Sequence, residues 1–434
     1  MRQKHIKGAY AFCLLAFLIL LFGMARPALV QELASDQQPT ADEASVQFGG
    51  SNSVSATLKQ DDKKKRALIQ DDFLERALAP YFDLKKRLKK NYGFMFAFDY
   101  NALLQIATES LGNNTAATGV VRFYGKWDLI GRASGDTGSF TYKVENRHSL
   151  GTDISPNELG SEIGYAGLTA TTFGNTGWEL TNLFWEQRLF DERFIIGGGV
   201  VDTTDYVNVY SMSSPWIDFN NQAFLNDPTI PTPSQGLGAA ALVLVTRNLY
   251  VLGGFADTNG DPTDPWESVN TFFDQAEYFS HIELGWIDSF KNRYRDNVHI
   301  TAWYADKRKE LDVPNGWGLA FSLNRRVAQR WEPFVRAGYA DDGGALWDKN
   351  ISFGLGYYTQ EESGLIALGL SWGEPSEENF GEGLKDQYTA EIFYRIQILQ
   401  NVTLTPDIQL MVDPALNPEE DVIAVFGIRG RVTL

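Results

Sequence analysis

Charged side chains recur at alternate positions through the first half of this chain. Arg122, Lys126 and Asp128 fall in one stretch, Lys143, Glu145 and Arg147 in the next, Glu186 and Arg188 in a third, and Asp202 closes a fourth. Residues two apart on an extended chain share a face, so each stretch turns cations and carboxylates to one side. Later stretches add Glu283, Glu332, Arg336, Glu391, Arg395, Asp407, Arg429 and Arg431. Opposed charges across a narrow aqueous passage supply hydrogen-bond donors and acceptors together and hold a transverse field. A neutral polyhydroxyl solute needs both kinds of partner. The plainer alternative is that each charge only solvates a wet wall. As a group, Arg122, Lys126, Lys143, Glu145, Arg147, Glu186, Arg188 and Asp202 read as the eyelet of a pore.

The segment 203–234 is the second such feature. It reads TTDYVNVYSMSSPWIDFNNQAFLNDPTIPTPS and carries Tyr206, Tyr210, Trp216, Phe219 and Phe224 among Asn and Asp. A loop of this length without secondary structure is rare unless it has a task. The stretch after it is small-sided, with Gly236, Gly238, Ala239, Ala240 and Ala241 leaving room against the wall. We expect the loop to fold inward, pack near that wall and narrow the pore. Tyr206, Trp216, Phe219, Asn220 and Phe224 are its constriction residues, the aromatic faces being available to stack on a solute ring. The alternative is an outer loop with structural aromatics.

Three other patterns lead to no site. Gly197-Gly198-Gly199 lacks the Lys-Ser/Thr and helix of a phosphate loop. Asp257, Asn259 and Asp261 resemble the start of a calcium loop, but Pro262 replaces its glycine and Ser268 its last glutamate. His148, His281 and His299 are far apart in sequence and form no paired motif. No catalytic residue, metal site or cofactor is predicted.

The elements that position these side chains are strands. From Asp386 to Leu434 the chain reads DQYTAEIFYRIQI, VTLTPDIQLMV and VIAVFGIRGRVTL, each alternating apolar with polar. Strands of about eleven to thirteen residues suit a tilted crossing of a bilayer better than a soluble sandwich, whose strands average about five or six. We place sixteen, at 93–105, 117–129, 137–148, 178–189, 193–203, 235–246, 248–257, 278–288, 294–305, 314–325, 330–340, 349–359, 364–374, 386–398, 402–412 and 422–434. Connections alternate long and short, as outer loops and periplasmic turns do. Phe94, Phe96, Phe98 and Tyr100 line one face of the first strand; Trp317, Leu319, Phe321 and Leu323, then Ile366, Leu368, Leu370 and Trp372, line faces of the tenth and thirteenth. Pro333 and Pro406 sit within strands, so each needs a bulge or a locally unpaired position. The fold class is an all-β membrane protein, a 16-stranded antiparallel outer-membrane β-barrel with a short N-terminal periplasmic helical segment and both termini periplasmic.

Residues 1–28 read as a secretory signal, with Arg2, Lys4 and Lys7 ahead of an apolar run and small residues at Ala25 and Ala28. Its removal takes four basic and no acidic residues from a chain of net charge −17, leaving 34 basic against 55 acidic, or −21. It also removes the one cysteine, Cys13, and with it any disulfide or thiolate site. The acidic balance argues against a nucleic-acid partner. Mean hydropathy of −0.24 does not oppose a barrel, because alternation hides its apolar faces. Residues 29–62 read as a polar, disordered linker. Residues 63–92 read as an amphipathic periplasmic helical segment, with Leu74, Leu78, Tyr81 and Leu88 on one side and Pro80 breaking or kinking it. Residues 93–434 are the barrel. Nothing marks a nucleotide site or a long plug domain.

Four stretches resemble the OprB-type carbohydrate-selective porins: LFWEQRLFD (Leu183 to Asp191), DFNNQAFLN (Asp218 to Asn226), GLGAAA (Gly236 to Ala241) and YRIQILQNVTLTPDIQLMVDPALNP (Tyr394 to Pro418). The resemblance covers roughly Gly93 to Leu434. It implies a sixteen-stranded outer-membrane channel of a Gram-negative bacterium that passes monosaccharides such as glucose by facilitated diffusion. It also implies an eyelet of arginine and glutamate, mapping onto Glu186 and Arg188 with Arg122, Lys143, Glu145 and Arg147. Val200 and Val201 stand where such porins often carry a basic residue, and Leu434 stands where they end in phenylalanine. The expected partners are small sugars, outer-membrane lipid and the barrel-assembly machinery during insertion, with room for a homo-oligomer. The alternatives are a general or anion-preferring diffusion pore without sugar selectivity, or a barrel enzyme such as a lipase or protease.

Overall fold

The computed structural model describes residues 48–434 apart from 64, 134, 290–292 and 360–362. The expected signal at 1–28 and the front of the expected linker lie outside the described residues. The period-two alternation becomes sixteen strands. They are β1 (Phe94–Ala107), β2 (Thr115–Ile130), β3 (Gly138–Ser149), β4 (Gly177–Leu189), β5 (Phe194–Val201), β6 (Gly236–Leu244), β7 (Leu249–Asp257) and β8 (Tyr278–Ile287). The second half gives β9 (Asn297–Ala305), β10 (Gly316–Asn324), β11 (Trp331–Asp341), β12 (Trp347–Tyr358), β13 (Leu365–Pro375), β14 (Gln387–Leu399), β15 (Val402–Val412) and β16 (Val422–Thr433). Each pairs antiparallel with its sequence neighbours, and β1 pairs with β16 to close the ring. The Phe98 amide donates to the Leu434 carbonyl at 3.1 Å, and the Leu434 amide to the Phe98 carbonyl at 2.8 Å, so the last residue completes the seam. Closure leaves no unpaired edge.

Side chains sort by face as the alternation requires. Phe98, Leu104, Ile282, Ile300, Leu319, Leu368, Ile392 and Phe426 point outward and are exposed, while Asn101, Gln105, Arg122, Glu283, Glu391 and Arg429 point inward and are buried. Among the described residues, no helix is long and apolar enough to cross a membrane. Both strand prolines meet the requirement of a missing donor. The β14–β15 ladder passes from Phe393↔Asp407 to Ile396↔Leu404, which leaves Pro406 unpaired on that side. Pro333 lies beyond the last β10 pair, Asn324↔Phe334.

Two features depart from expectation at the front of the chain. Residues 48–62 are not a linker: 54–61 form a helix, α1 (Val54–Asp61), capped by the Ser53 hydroxyl, and Phe48 to Leu58 are buried apart from Ser55. The segment lies inside the ring, with α1 against β1, β2 and β3. The second helix, α2 (Asp72–Tyr92), runs through Pro80 without a break. Pro80 is exposed, so water can serve the carbonyl whose donor the ring removes. Gly93 ends α2 at φ 70°, a left-handed turn that suits glycine, and its amide reaches back to Leu88 and Lys89.

The ring therefore encloses protein rather than an open lumen alone. Residues 202–235 and 150–176, both at the long-loop end, fold inward. In the second, Gln105 donates to the Thr169 carbonyl at 3.1 Å, Gln387 to the Ala166 carbonyl at 3.0 Å, and the Trp347 indole also to Ala166.

Candidate pore constriction

Segment 202–235 is held across the ring by inward side chains of the far wall. Glu391 on β14 accepts from the backbone amides of Asn220 (2.7 Å) and Asn221 (2.9 Å). The Asn220 amide group donates to Asp407 on β15 at 2.8 Å, and that of Asn221 to Gln409 at 3.0 Å. Arg429 on β16 donates to the carbonyls of Pro215 (2.5 Å) and Asp218 (2.6 Å) and to the Asn220 side chain (2.5 Å). Arg395 pairs with Asp218 at 3.2 Å. Nearer the loop's start, Asn208 donates to Glu283 at 3.0 Å through its amide, and Arg336 donates to the Asn208 side chain at 2.5 Å. All these groups are buried. Satisfying a buried backbone donor with a carboxylate, or a carbonyl with a guanidinium, makes strong directional bonds. They fix a segment that has almost no regular structure.

The loop was expected to lie by the small-sided strand β6. Tyr206, Val207 and Ile230 do pack with Ala240, Leu242 and Leu244 on that wall, but most polar anchors go to β8, β11 and β14–β16. The aromatics are also used differently from the expectation. Phe219 and Phe224 pack on each other at 5.0 Å, and Phe219 packs on Phe334 at 5.9 Å and Phe393 at 4.9 Å. Fully enclosed in this cluster, the two rings have no face left for a solute. Trp216 lies against Phe173 and under the Arg122 guanidinium, 3.9 Å from the ring centre. Tyr206 stacks on Phe48 at 5.6 Å.

The eight charged residues singled out from the sequence do not form one ring; they are spread along β2–β4 and the end of β5 as separate pairs. At the short-turn end, Lys126 donates to Glu186 at 2.8 Å, and Arg188 pairs with Glu186 (2.8 Å) and Glu192 (3.3 Å). In the middle, Arg122 is paired with Asp99 on β1, which also accepts from Arg431 at 2.7 Å. Beside it, Lys143 lies 3.5 Å from both Asp202 and Asp205. Toward the long-loop end, Arg147 pairs with Glu145 (2.7 Å) and Glu179 (3.0 Å). Thus Lys126, Glu186 and Arg188 meet, Glu145 and Arg147 meet, Lys143 meets Asp202, and Arg122 meets none of the other seven directly.

Burial and Lys143 divide the two loop carboxylates. Burial opposes the charge on Asp202, but Lys143, Thr204 and Gln235 outweigh it and hold this carboxyl below the usual range. Burial pushes Asp205 up to about 7, with Lys143 opposing and Asp202 adding to the rise. Burial likewise raises Asp218 to about 6 against the pull of Arg395.

The buried segment 48–62 meets the inward loop from the other side. Gly50 donates to the Asp205 carbonyl at 2.6 Å, and the Asn52 side chain donates to the Asp205 carboxylate at 2.9 Å. Ser51 and Ser213 hydroxyls meet at 3.0 Å, and Arg293 donates to the Phe48 carbonyl. At the end of α1, Asp61 receives two 3.0 Å bonds from Arg431 and one of 2.6 Å from Tyr124. A Cβ on Gly50 would stand 2.5 Å from Val209, so the backbone approaches the loop as closely as glycine allows. Asp61, Asp99 and Arg293 were not singled out from the sequence. Asp99 sits on the wet face of β1 with Asn101 and Gln105, and its place in the alternation could have found it; Asp61 and Arg293 lie outside strands and carry no such signal.

Several residues of the patterns set aside from the sequence make local contacts. Asp257 accepts from Asn259 and Thr271, and Asp261 from Thr263, as turn-forming carboxylates do. His148 lies over Tyr100, and His299 is held by Asn297. Among the described residues, no group of three His, Cys, Asp or Glu side chains could hold a metal ion.

A family model described as carbohydrate-selective porin, OprB family, matches residues 129–434. The high-pH structure of Pseudomonas putida OprB superposes with a TM-score of 0.62 at 14% identity, covering 82% of this chain and 97% of that one. The low-pH structure of the same protein gives 0.46 at 12% identity, covering 82% and 96%. A triple mutant of Rhodopseudomonas blastica porin gives 0.46 at 11% identity, covering 78% and 99%. No curated protein matches the chain.

Proposed function

This chain belongs to the OprB family of carbohydrate-selective porins of the outer membrane, and from that premise we propose that it passes monosaccharides such as glucose by facilitated diffusion. The route runs beside the inward loop and along the wall of β2–β5, where Arg122, Lys126, Lys143, Glu145, Arg147, Glu186, Arg188 and Asp202 stand, all but Arg147 buried beneath the inward segments. The observation that carries this reading is the pairing of cation with carboxylate at every level of that wall. A solute moving along it meets donors and acceptors throughout, while neither sign of ion is favoured over the whole path. That arrangement suits a neutral polyol and distinguishes the reading from an anion-preferring pore. Binding at each rung has to be weak for the solute to leave. The long loops face the exterior and both termini the periplasm, in keeping with the loop lengths of such barrels.

Liposome swelling tests this directly. Reconstituted protein should admit glucose faster than an amino acid of similar size, and Arg188→Ala should lower glucose uptake and change conductance with folding intact. Equal swelling rates for the two solutes would favour a non-selective pore. Unaltered uptake and conductance in Arg188→Ala would remove that rung from the path.

A further inference from the structure

Helix α2 has more apolar surface than the barrel covers. Successive residues turn by about 100° around a helix. Leu74, Leu78, Tyr81, Phe82 and Leu88 are partly buried on the side that meets the barrel. Phe73, Ala77 and Leu84 fall together on an adjoining arc and are exposed, Phe73 at 75% and Leu84 at 42%. Leu68 and Ile69, just before the helix, are 73% and 56% exposed. Phe73 and Leu68 exceed outward strand residues such as Leu284 at 59% and Ile300 at 54%, and Ile69 and Leu84 lie within the range such residues span, down to Leu368 at 43% and Val432 at 42%.

The place of α2 says what covers this arc. Tyr81 meets Phe96 edge-on at 6.1 Å, and the Lys85 ammonium stands 5.9 Å from the same ring. The Trp127 indole donates to the Tyr92 carbonyl at 3.1 Å. Phe94, Phe96 and Trp127 belong to the outward, lipid-facing surface of β1 and β2 at its short-turn end. The uncovered arc is therefore continuous with the barrel's outward apolar surface. Charge points the same way. In a chain of net charge −17, Lys85, Lys86, Arg87, Lys89 and Lys90 fall within six residues, and Lys86, Arg87 and Lys90 are exposed.

We propose that α2 is an interfacial helix seated in the bilayer leaflet at the short-turn end, with Leu68, Ile69, Phe73 and Leu84 among the upper acyl carbons and Lys86, Arg87 and Lys90 on the phosphates of anionic phospholipids. A wide apolar face edged with cations is the pattern that lies in the plane of a membrane, and clustered cations draw it to anionic lipid. The inference does not depend on what passes through the pore.

The mature full-length chain tests it, because Cys13 lies in the expected leader and single cysteines can be placed at will. Phe73→Cys, Leu84→Cys and Lys90→Cys would each carry an environment-sensitive fluorophore in phosphatidylcholine vesicles with or without phosphatidylglycerol. Labels at 73 and 84 should be quenched by shallow doxyl lipid and shielded from aqueous iodide; the label at 90 should not. Phosphatidylglycerol should raise lipid quenching at 73 and 84 by about twofold or more, and K86E/R87E/K90E should abolish that rise while conductance shows the barrel intact. Equal iodide access at all three positions in both lipids would overturn the proposal. So would lipid quenching indifferent to phosphatidylglycerol and to charge reversal, or shielding that appears only when two labelled copies come within energy-transfer range.

Discussion

Release of the segment inside the ring should open the pore, and the structure sets the size of the effect. Asp61 is the anchor at the far end of α1, with two 3.0 Å bonds from Arg431. Removing one partner of a buried pair costs about 3–5 kcal/mol. Arg431 keeps a share of Asp99 at 2.7 Å, which Arg122 also claims, so the loss is offset in part and the lower end of that range applies. At about 1.4 kcal/mol per tenfold, Asp61→Ala should shift the docked-to-released ratio by about a hundredfold. The other anchors, Asn52 and Gly50 on Asp205 and Arg293 on the Phe48 carbonyl, remain. A deletion of residues 48–62 defines the fully released level. A helix with side chains is about 10–12 Å across, so its loss frees on the order of 100 Å² of cross-section. In planar bilayers the deletion should give a single larger conductance, and Asp61→Ala should fluctuate between that level and the native one. A deletion variant with native conductance and native sugar flux would refute the reasoning, because the segment would then not occupy the path.

Three further outcomes follow from the same geometry. Asp205 is held neutral up to about 7 by burial, whereas an unfolded aspartate titrates near 3.9; the folded state is therefore favoured below that lower value and loses this contribution as pH rises towards 7. Asp205→Asn should abolish a change in ion selectivity between pH 6 and 8 and flatten the pH dependence of thermal unfolding over about pH 4–7. Arg429→Met should leave the carbonyls of Pro215 and Asp218 without their donor, destabilise the barrel by about 3 kcal/mol in heat-modifiability measurements and increase open-channel noise. Lys143→Met, which removes the cation between Asp202 and Asp205, should move the reversal potential towards cation preference; an unmoved reversal potential would exclude these carboxylates from the conducting path.

The barrel was legible because lipid outside and water inside impose one rule on every strand. Fifteen connections could be placed within a few residues, the largest slip being β9, which begins at Asn297 rather than 294. What a side chain faces within the lumen was less legible. Phe219 and Phe224 have the composition of a sugar platform, yet Phe334 and Phe393 claim their faces; residue type alone does not tell a ring that meets a solute from one that meets another ring. Residues 48–62 read as linker for a related reason. A segment that packs in an aqueous, charge-lined wall is polar itself, so Ser51, Asn52, Ser53 and Asp61 have the composition of disorder while making buried bonds. The eight charged residues were read as one ring, but alternation gives the face of a residue and not its height. The ladder of separate pairs emerged only with the register.

Closure by the final strand has a consequence for the order in which the molecule is made. Residues 48–62 lie within a ring of backbone that the last strand ties shut at Phe98 and Leu434. Like thread through a needle's eye, this segment is either in place before the knot is drawn or must enter afterwards through one opening. Once the seam is made, it can leave only by sliding lengthwise.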